Sequence, residues 1–219
     1  MLKYPCLVLD HDDTVVQSET TINYPFFCYI LDQFRPGATI TREEYTKGCF
    51  HPGFAGMCRE KFHFTEQELQ EEYTQWKAYI RTHIPAPYPG IERIIYRQKE
   101  EGGILCVVSQ SSQENIARDY AAHFGIQPDA VFGWDAEPEH RKPNTWALQQ
   151  IMDTYHLTAD QILVVDDMKA AVGMARAGGC PIAFAGWGRT EFPEIYGKMS
   201  AVCDFSFDTV EKFEKFLFA

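Results

Sequence analysis

The chain is 219 residues long and 45% hydrophobic, with 31 acidic against 20 basic residues and a net charge of −11. That length buries one generous core, or a core with a modest insert. The acidic balance argues against a general positive field that would grip nucleic acid or an anionic membrane, so any anionic ligand must be attracted locally, by a few cations and backbone amides.

Leu7, Val8 and Leu9 form a short continuous aliphatic run, which suits a parallel strand buried on both faces, and the stretch DHDDT (10–14) stands at its end. The rest of the opening third reads as helical and amphipathic, with Thr41–Glu44 and Thr65–Glu68 each offering a capping box. From Pro85 the texture changes: PAPYPG (85–90) is a stiff turn that opens a helix with Ile91, Ile94 and Ile95 at helical spacing, closed by Gly102 and Gly103. A strand over 104–108 follows, then a helix capped by Ser111, with Glu114 as a capping box, or by Ser112, ending near Phe124 and Gly125. The apolar run 130–134, a helix after Pro143, a strand over 162–165, a helix closed by Gly178 and Gly179, and a strand over 181–185 continue the rhythm. Residues 201–207 read as a last short strand, with an amphipathic helix from Asp208.

This alternation predicts an α/β fold: a Rossmann-like parallel sheet with helices on both faces. Residues 1–16 and 86–219 are expected to build that core, and residues 17–85 an all-helical cap inserted just beyond the first acidic strand end, as a lid over the site. Seven cysteines, at 6, 28, 49, 58, 106, 180 and 203, show no CxxC spacing, which favours reduced thiols over a disulfide scaffold or a zinc site. No apolar run is long enough to span a bilayer, and motif-bearing residues begin at position 10, leaving no room for a signal peptide. A cytoplasmic protein with no nucleic-acid or membrane partner, monomeric or weakly dimeric, is expected.

The chemistry concentrates at strand ends. Asp10 and Asp12 follow the first strand, and Asp166 and Asp167 follow ILVV far along the chain. In an open α/β sheet, ligands bind beyond the carboxyl ends of the strands. Carboxylates crowded there resist ionising together unless something positive joins them, and a hard cation bound through oxygen, Mg²⁺ by preference, meets that need. Asp10, fixed against a metal, is a usable nucleophile toward phosphorus, and Asp12, two residues on, is the natural acid/base. The same DHDDT also reads as an Asp-rich turn capping a helix. Ser109 ends the strand ILCVVS, where its hydroxyl and the N–H of Gln110 make an anion site for a phosphoryl group; it also reads as a simple cap. Lys142, before Pro143, would be presented at a helix entrance, or else is a solvated lysine. Asp166 and Asp167 also read as an N-cap pair. What the plainer readings leave unexplained is that all four motifs fall at strand-to-helix junctions.

DHDDT, a Ser at the end of the next strand, a Lys before Pro, and a DD pair after a hydrophobic strand together closely resemble the haloacid dehalogenase superfamily, in its branch of aspartate-nucleophile phosphatases. The insert resembles the small helical cap of phosphoglycolate phosphatases and β-phosphoglucomutases. The resemblance implies that Asp10 attacks phosphorus and that Asp12 protonates the leaving alcohol, later activates water, and offers its main-chain carbonyl to the metal. It further implies that Ser109 and Lys142 hold the transferring oxygens, that Asp167 binds Mg²⁺ directly, and that Asp166 acts through water or as a second ligand. A loose phosphoryl-transfer transition state calls for such positioning and charge neutralisation. The chain departs from the pattern at Ala171, where many relatives carry a further Asp, at Gln110 in place of Asn, and at Gln17 in place of Asp.

Dehalogenation is disfavoured because it dispenses with the metal and with an acid at the position of Asp12. In the cap, Lys47, His51 and Arg59 are expected to contact a polar or anionic leaving group, with Phe50 and Phe54 either as walls or as cap core; His11 packs or hydrogen-bonds at the turn. The expected activity is hydrolysis of a small phosphorylated metabolite, with a sugar phosphomutase or a non-catalytic phospholigand-binding protein as alternatives.

Overall fold

The computed structural model describes residues 2–219. They form two compact units, one of residues up to Gln17 together with Pro87–Ala219, the other Ser18–Ala86. In the first, six strands make one sheet: β1 (Cys6–Leu9), β2 (Ile104–Val108), β3 (Ala130–Phe132), β4 (Ile162–Asp166), β5 (Ile182–Ala185) and β6 (Phe205–Phe207), in the order β3-β2-β1-β4-β5-β6. Every pairing is parallel. Leu9 pairs with Val107 on one side and Val165 on the other, so the strand order reverses at β1, between β2 and β4. That reversal opens a crevice beyond the strand ends.

Period-two alternation sends Leu7, Leu9, Leu105, Val107, Leu163 and Val165 to one core and Cys6, Val8, Cys106, Val108, Ile162 and Val164 to the other. The first core is covered by α5 (Ile91–Glu100), α6 (Gln113–Phe124) and α10 (Val210–Phe218), through Ile91, Ile94, Ile95, Ile116, Tyr120 and Phe213. The second is covered by α7 (Trp146–Tyr155) and α8 (Lys169–Gly178), through Leu148, Ile151, Met174 and Ala175. Both faces of the sheet are therefore dry, which is what strands without polar alternation require.

Several sequence expectations shift here. Of the two serines offered as the cap of α6 it is Ser112, whose hydroxyl accepts from the Asn115 N–H, and the capping box of Ser111 with Glu114 does not form. The helix expected after Pro143 starts only at Trp146, because residues 142–145 form a turn in which the Asn144 N–H reaches the Arg141 carbonyl. β6 spans only Phe205–Phe207, since residues 201–204 turn after α9 (Pro193–Ser200), a helix that the sequence reading passed over. Its signal was Pro193 in the first turn.

The second unit is wholly helical: a π-helical turn Glu19–Asn23 runs into α1 (Tyr24–Phe34), followed by α2 (Arg42–Phe50), α3 (Phe54–Phe62) and α4 (Glu66–Ile80). Thr41 and Thr65 cap α2 and α4 through complete capping boxes with Glu44 and Glu68. Phe26, Phe27, Ile30, Leu31, Met57 and Phe64 fill its core. All seven cysteines are free thiols, and no helix among the described residues is long and apolar enough to cross a membrane.

Glu72 of α4 is 7% exposed, and burial pushes its carboxyl up to about 7 from the ordinary 4.5. Between those values the folded state holds a proton that the unfolded chain has released, so stability falls as pH rises across the window and the cost is complete above it. The shift corresponds to about 3 kcal/mol. Glu72→Gln is accordingly expected to raise the melting temperature at pH 8 and leave it nearly unchanged at pH 5. Equal shifts at both pH values in thermal melts would refute this.

Candidate active site

The backbone sets the first contacts. The Asp10 N–H donates to the Val165 carbonyl at 2.8 Å, carrying the β1–β4 ladder one residue past β1, and Asp166 is the last residue of β4. Beyond Asp10 the chain turns sharply: the Asp13 N–H reaches the Val16 carbonyl at 2.7 Å, and Asp13 takes a left-handed φ of 55°, a conformation Asp tolerates better than most residues. The DHDDT segment is therefore a turn, and no helix follows it directly; nor do Asp166 and Asp167 cap α8, whose N-cap is Met168, although Asp166 Oδ1 accepts the Met168 N–H at 2.7 Å.

Asp10, Asp166 and Asp167 are all buried, and one carboxylate oxygen from each lies within 4.8 Å of the others. The Lys142 ammonium donates to Asp10 Oδ1 at 2.8 Å and to Asp166 Oδ2 at 2.6 Å, with its side chain only 5% exposed. Lys142 is thus neither a solvated lysine nor at a helix entrance; it comes from the turn ahead of α7 and lies among the carboxylates. Asp12 is partly buried in the turn and bridges to Val16, outside the group of three carboxylates. Ser109 directly follows β2, one register position beyond the residue opposite Asp10. It is buried, and its Oγ accepts the Ser111 N–H at 3.2 Å; Gln110 beside it is exposed.

The cap candidates lie in the helical unit. Lys47 pairs with Glu43 at 2.8 Å and Arg59 with Glu66 at 2.7 Å, while His51 is exposed in the turn after α2. Phe54 packs edge-on against Phe27 and Tyr45, which makes it part of the core of that unit.

One charged residue at the strand ends, Arg189, escaped the sequence reading, whereas His11 makes the kind of contact expected of it at the turn. Arg189, 5% exposed, extends from the turn after β5 and donates to Asp167 Oδ2 through Nε at 2.8 Å and Nη2 at 2.5 Å, and to Asp13 Oδ2 through Nη2 at 3.2 Å. The available signal was its place at the carboxyl end of β5, the strand beside β4. His11, also buried, pairs through Nε2 with Asp119 Oδ2 at 3.0 Å and so ties the β1 turn to α6.

Electrostatics follow from this crowding. Burial pushes the Asp166 carboxyl above the ordinary carboxylate range; Lys142 opposes that push, and Asp10 and Asp167 reinforce it. Burial likewise raises Asp167, against the pull of Arg189. Burial works against the charge on Lys142, but Asp10 and Asp166 outweigh it and hold the amine more firmly protonated than usual. These directions share one cause: the buried carboxylates hold Lys142 charged, while Lys142 and Arg189 carry too little positive charge to offset the burial of Asp166 and Asp167. Four buried carboxylates, Asp10, Asp13, Asp166 and Asp167, face two buried cations, Lys142 and Arg189, a formal excess of two negative charges. A divalent cation held by hard oxygen ligands fits that excess and that donor set.

The sequence model of the haloacid dehalogenase-like hydrolase family matches residues 7–185. A phosphoglycolate phosphatase of Aliivibrio fischeri is 33% identical over 97 residues, covering 42% of this chain and 41% of that protein. One from Vibrio cholerae is 26% identical over 116 residues, covering 52% and 49%. The chain thus matches these curated relatives over about half their length or less. Among solved structures, a haloacid dehalogenase-like protein from Bacteroides fragilis superposes with a TM-score of 0.78 at 18% identity, over 96% of this chain and all of that one. CbbY from Rhodobacter sphaeroides, solved with phosphate, gives 0.68 at 19% identity over 95% of each chain. At these identities the structural likeness speaks for the fold.

Proposed function

We propose that this chain, which belongs to the haloacid dehalogenase-like hydrolase family, is a Mg²⁺-dependent phosphomonoesterase that cleaves a small phosphorylated metabolite through an aspartyl-phosphate on Asp10. Phosphatases of the family generally use a divalent metal, and the observation that carries the reading is the buried trio Asp10, Asp166 and Asp167 with Lys142 bridging Asp10 and Asp166. Mg²⁺ would be held by Asp10, Asp167 and the Asp12 carbonyl, with Asp166 in support, and would supply the charge that lets an anionic phosphoryl group approach a carboxylate.

The other steps fall to the chain itself. Asp10 attacks phosphorus in line, and the leaving oxygen takes a proton from Asp12. Asp12 then draws a proton from the water that opens the aspartyl-phosphate, and phosphate leaves with Asp10 restored. Lys142, already against Asp10, offsets the repulsion between nucleophile and phosphoryl oxygens, while Ser109 and the Gln110 N–H hold those oxygens. Residues 17–85 serve as the cap, with Lys47, His51 and Arg59 as its candidate contacts to the leaving group, although Lys47 and Arg59 must first give up their ion pairs with Glu43 and Glu66. The protein acts as a monomer or weak homodimer in the cytoplasm.

The names of the curated relatives make phosphoglycolate the first substrate to try. Free phosphate measured across a panel of phosphate esters, with Mg²⁺ and with EDTA, tests the reading. Stoichiometric release that needs the metal is expected. No release from any ester would overturn it, and an isomerised sugar phosphate without release would replace it with a mutase.

A further inference from the structure

Arg189 belongs to none of the four strand-end motifs, yet it is among the most deeply buried charges at this end of the sheet. Both of its bonds to Asp167 fall on one oxygen, Oδ2, and the same Nη2 reaches Asp13 Oδ2. It therefore joins the turn after β1 to the turn after β4. The short turn just before it, Gly186–Gly188, packs closely on the first of these. Trp187 Nε1 donates to the Thr14 carbonyl at 3.0 Å, and a side chain at Gly188 would collide with the Tyr88 hydroxyl and press on the Asp13 carbonyl. A guanidinium stays charged at any pH that leaves the protein folded. Without it, one buried cation, Lys142, would face four buried carboxylates.

We propose that Arg189 is the resident counter-cation of the acidic strand ends: it holds Asp13 and Asp167 together when no metal is bound, and competes electrostatically with the divalent ion that Asp167 ligates. This rests on the phosphatase reading only in taking Asp167 as a metal ligand. Removing the guanidinium has two opposed consequences. The site loses its internal neutralisation, which destabilises the fold in the absence of metal, because buried carboxylates without partners are costly. It also loses a positive charge beside a divalent ion, which tightens metal binding. That Coulomb gain exceeds the rotamer freedom regained by one carboxylate.

The experiment compares wild type, Arg189→Met, Arg189→Lys and the double variant Arg189→Met/Asp167→Asn. In EDTA, Arg189→Met is expected to melt well below wild type and Arg189→Lys between the two. The double variant should recover part of the loss, since it removes one of the stranded charges. By titration calorimetry, Arg189→Met is expected to bind Mg²⁺ about tenfold or more tightly than wild type. A double variant that fails to fold, or melts no higher than Arg189→Met, overturns the counter-cation role, because a merely structural arginine would not be rescued by removing its partner's charge. Equal or weaker Mg²⁺ affinity in Arg189→Met overturns the competition. Absence of Mg²⁺ binding to both proteins overturns the competition and the metal part of the phosphatase reading together, and leaves the EDTA melts to decide the counter-charge alone.

Discussion

Asp10→Asn is expected to fold normally and lose turnover of any phosphate ester by about 10⁴-fold or more, the scale on which removal of a covalent nucleophile is felt. The two side chains have the same shape, and an amide oxygen in the place of Oδ1 still accepts from the Lys142 ammonium that now sits 2.8 Å away. What is lost is the charge and nucleophilicity of the oxygen that must bond to phosphorus. The substitution also removes one of the crowded buried carboxylates whose repulsion raises Asp166 and Asp167. The variant should therefore melt in EDTA at or above the wild-type temperature while its turnover collapses. That pairing separates lost chemistry from a lost fold. Retention of more than about a tenth of wild-type kcat, against the loss that nucleophile removal brings, would rule out Asp10 as nucleophile.

The strands were more legible in the sequence than the partners of the site residues, for physical reasons. β1, β2, β4 and β5 were readable because a strand buried on both faces must be continuously aliphatic, and Cys6–Leu9 or Ile162–Val165 admit little else. The strand ends then located Asp10, Ser109, Asp166 and Asp167 without any knowledge of pairing. Lys142 was placed at a helix entrance, whereas it lies in a turn before Trp146; its contacts with Asp10 and Asp166 span 132 and 24 residues, and no local pattern reports such distances. Arg189 was half legible: its place beyond the end of β5 could be read, but its partner could not. Nothing near Gly188 in the sequence says that β5 stands beside β4, and only that adjacency brings its guanidinium to Asp167. The cap charges Lys47 and Arg59 read as free ligands for an anion, but each has a carboxylate four or seven residues away that engages it first.

Lys142→Met carries the second large effect, and it joins stability to chemistry. The amine has two carboxylate partners, and its side chain and theirs are all nearly inaccessible. Methionine fills a similar volume but leaves Asp10 and Asp166 in a buried site with no cation between them. Stranding a buried ionic partner costs about 3–5 kcal/mol. The carboxylates can escape part of that cost only by keeping a proton, so Asp166, already raised by burial, rises further. Over the window between its unfolded value and that raised value, the folded variant binds more protons than the unfolded chain. Its stability in EDTA must therefore fall as pH rises, more steeply than that of wild type. Added Mg²⁺ should return part of the loss, since it neutralises the same carboxylates from another side. It should not return the activity: without the ammonium the attacking carboxylate meets the phosphoryl oxygens with one fewer compensating charge, and kcat is expected to drop about 10²- to 10³-fold even at saturating metal. Thermal melts between pH 6 and 9, with EDTA and with Mg²⁺, and kcat measured alongside them, decide the matter. A variant with the wild-type pH slope, or one whose kcat Mg²⁺ restores, would mean that Lys142 neither balances these carboxylates nor acts on the transferring group.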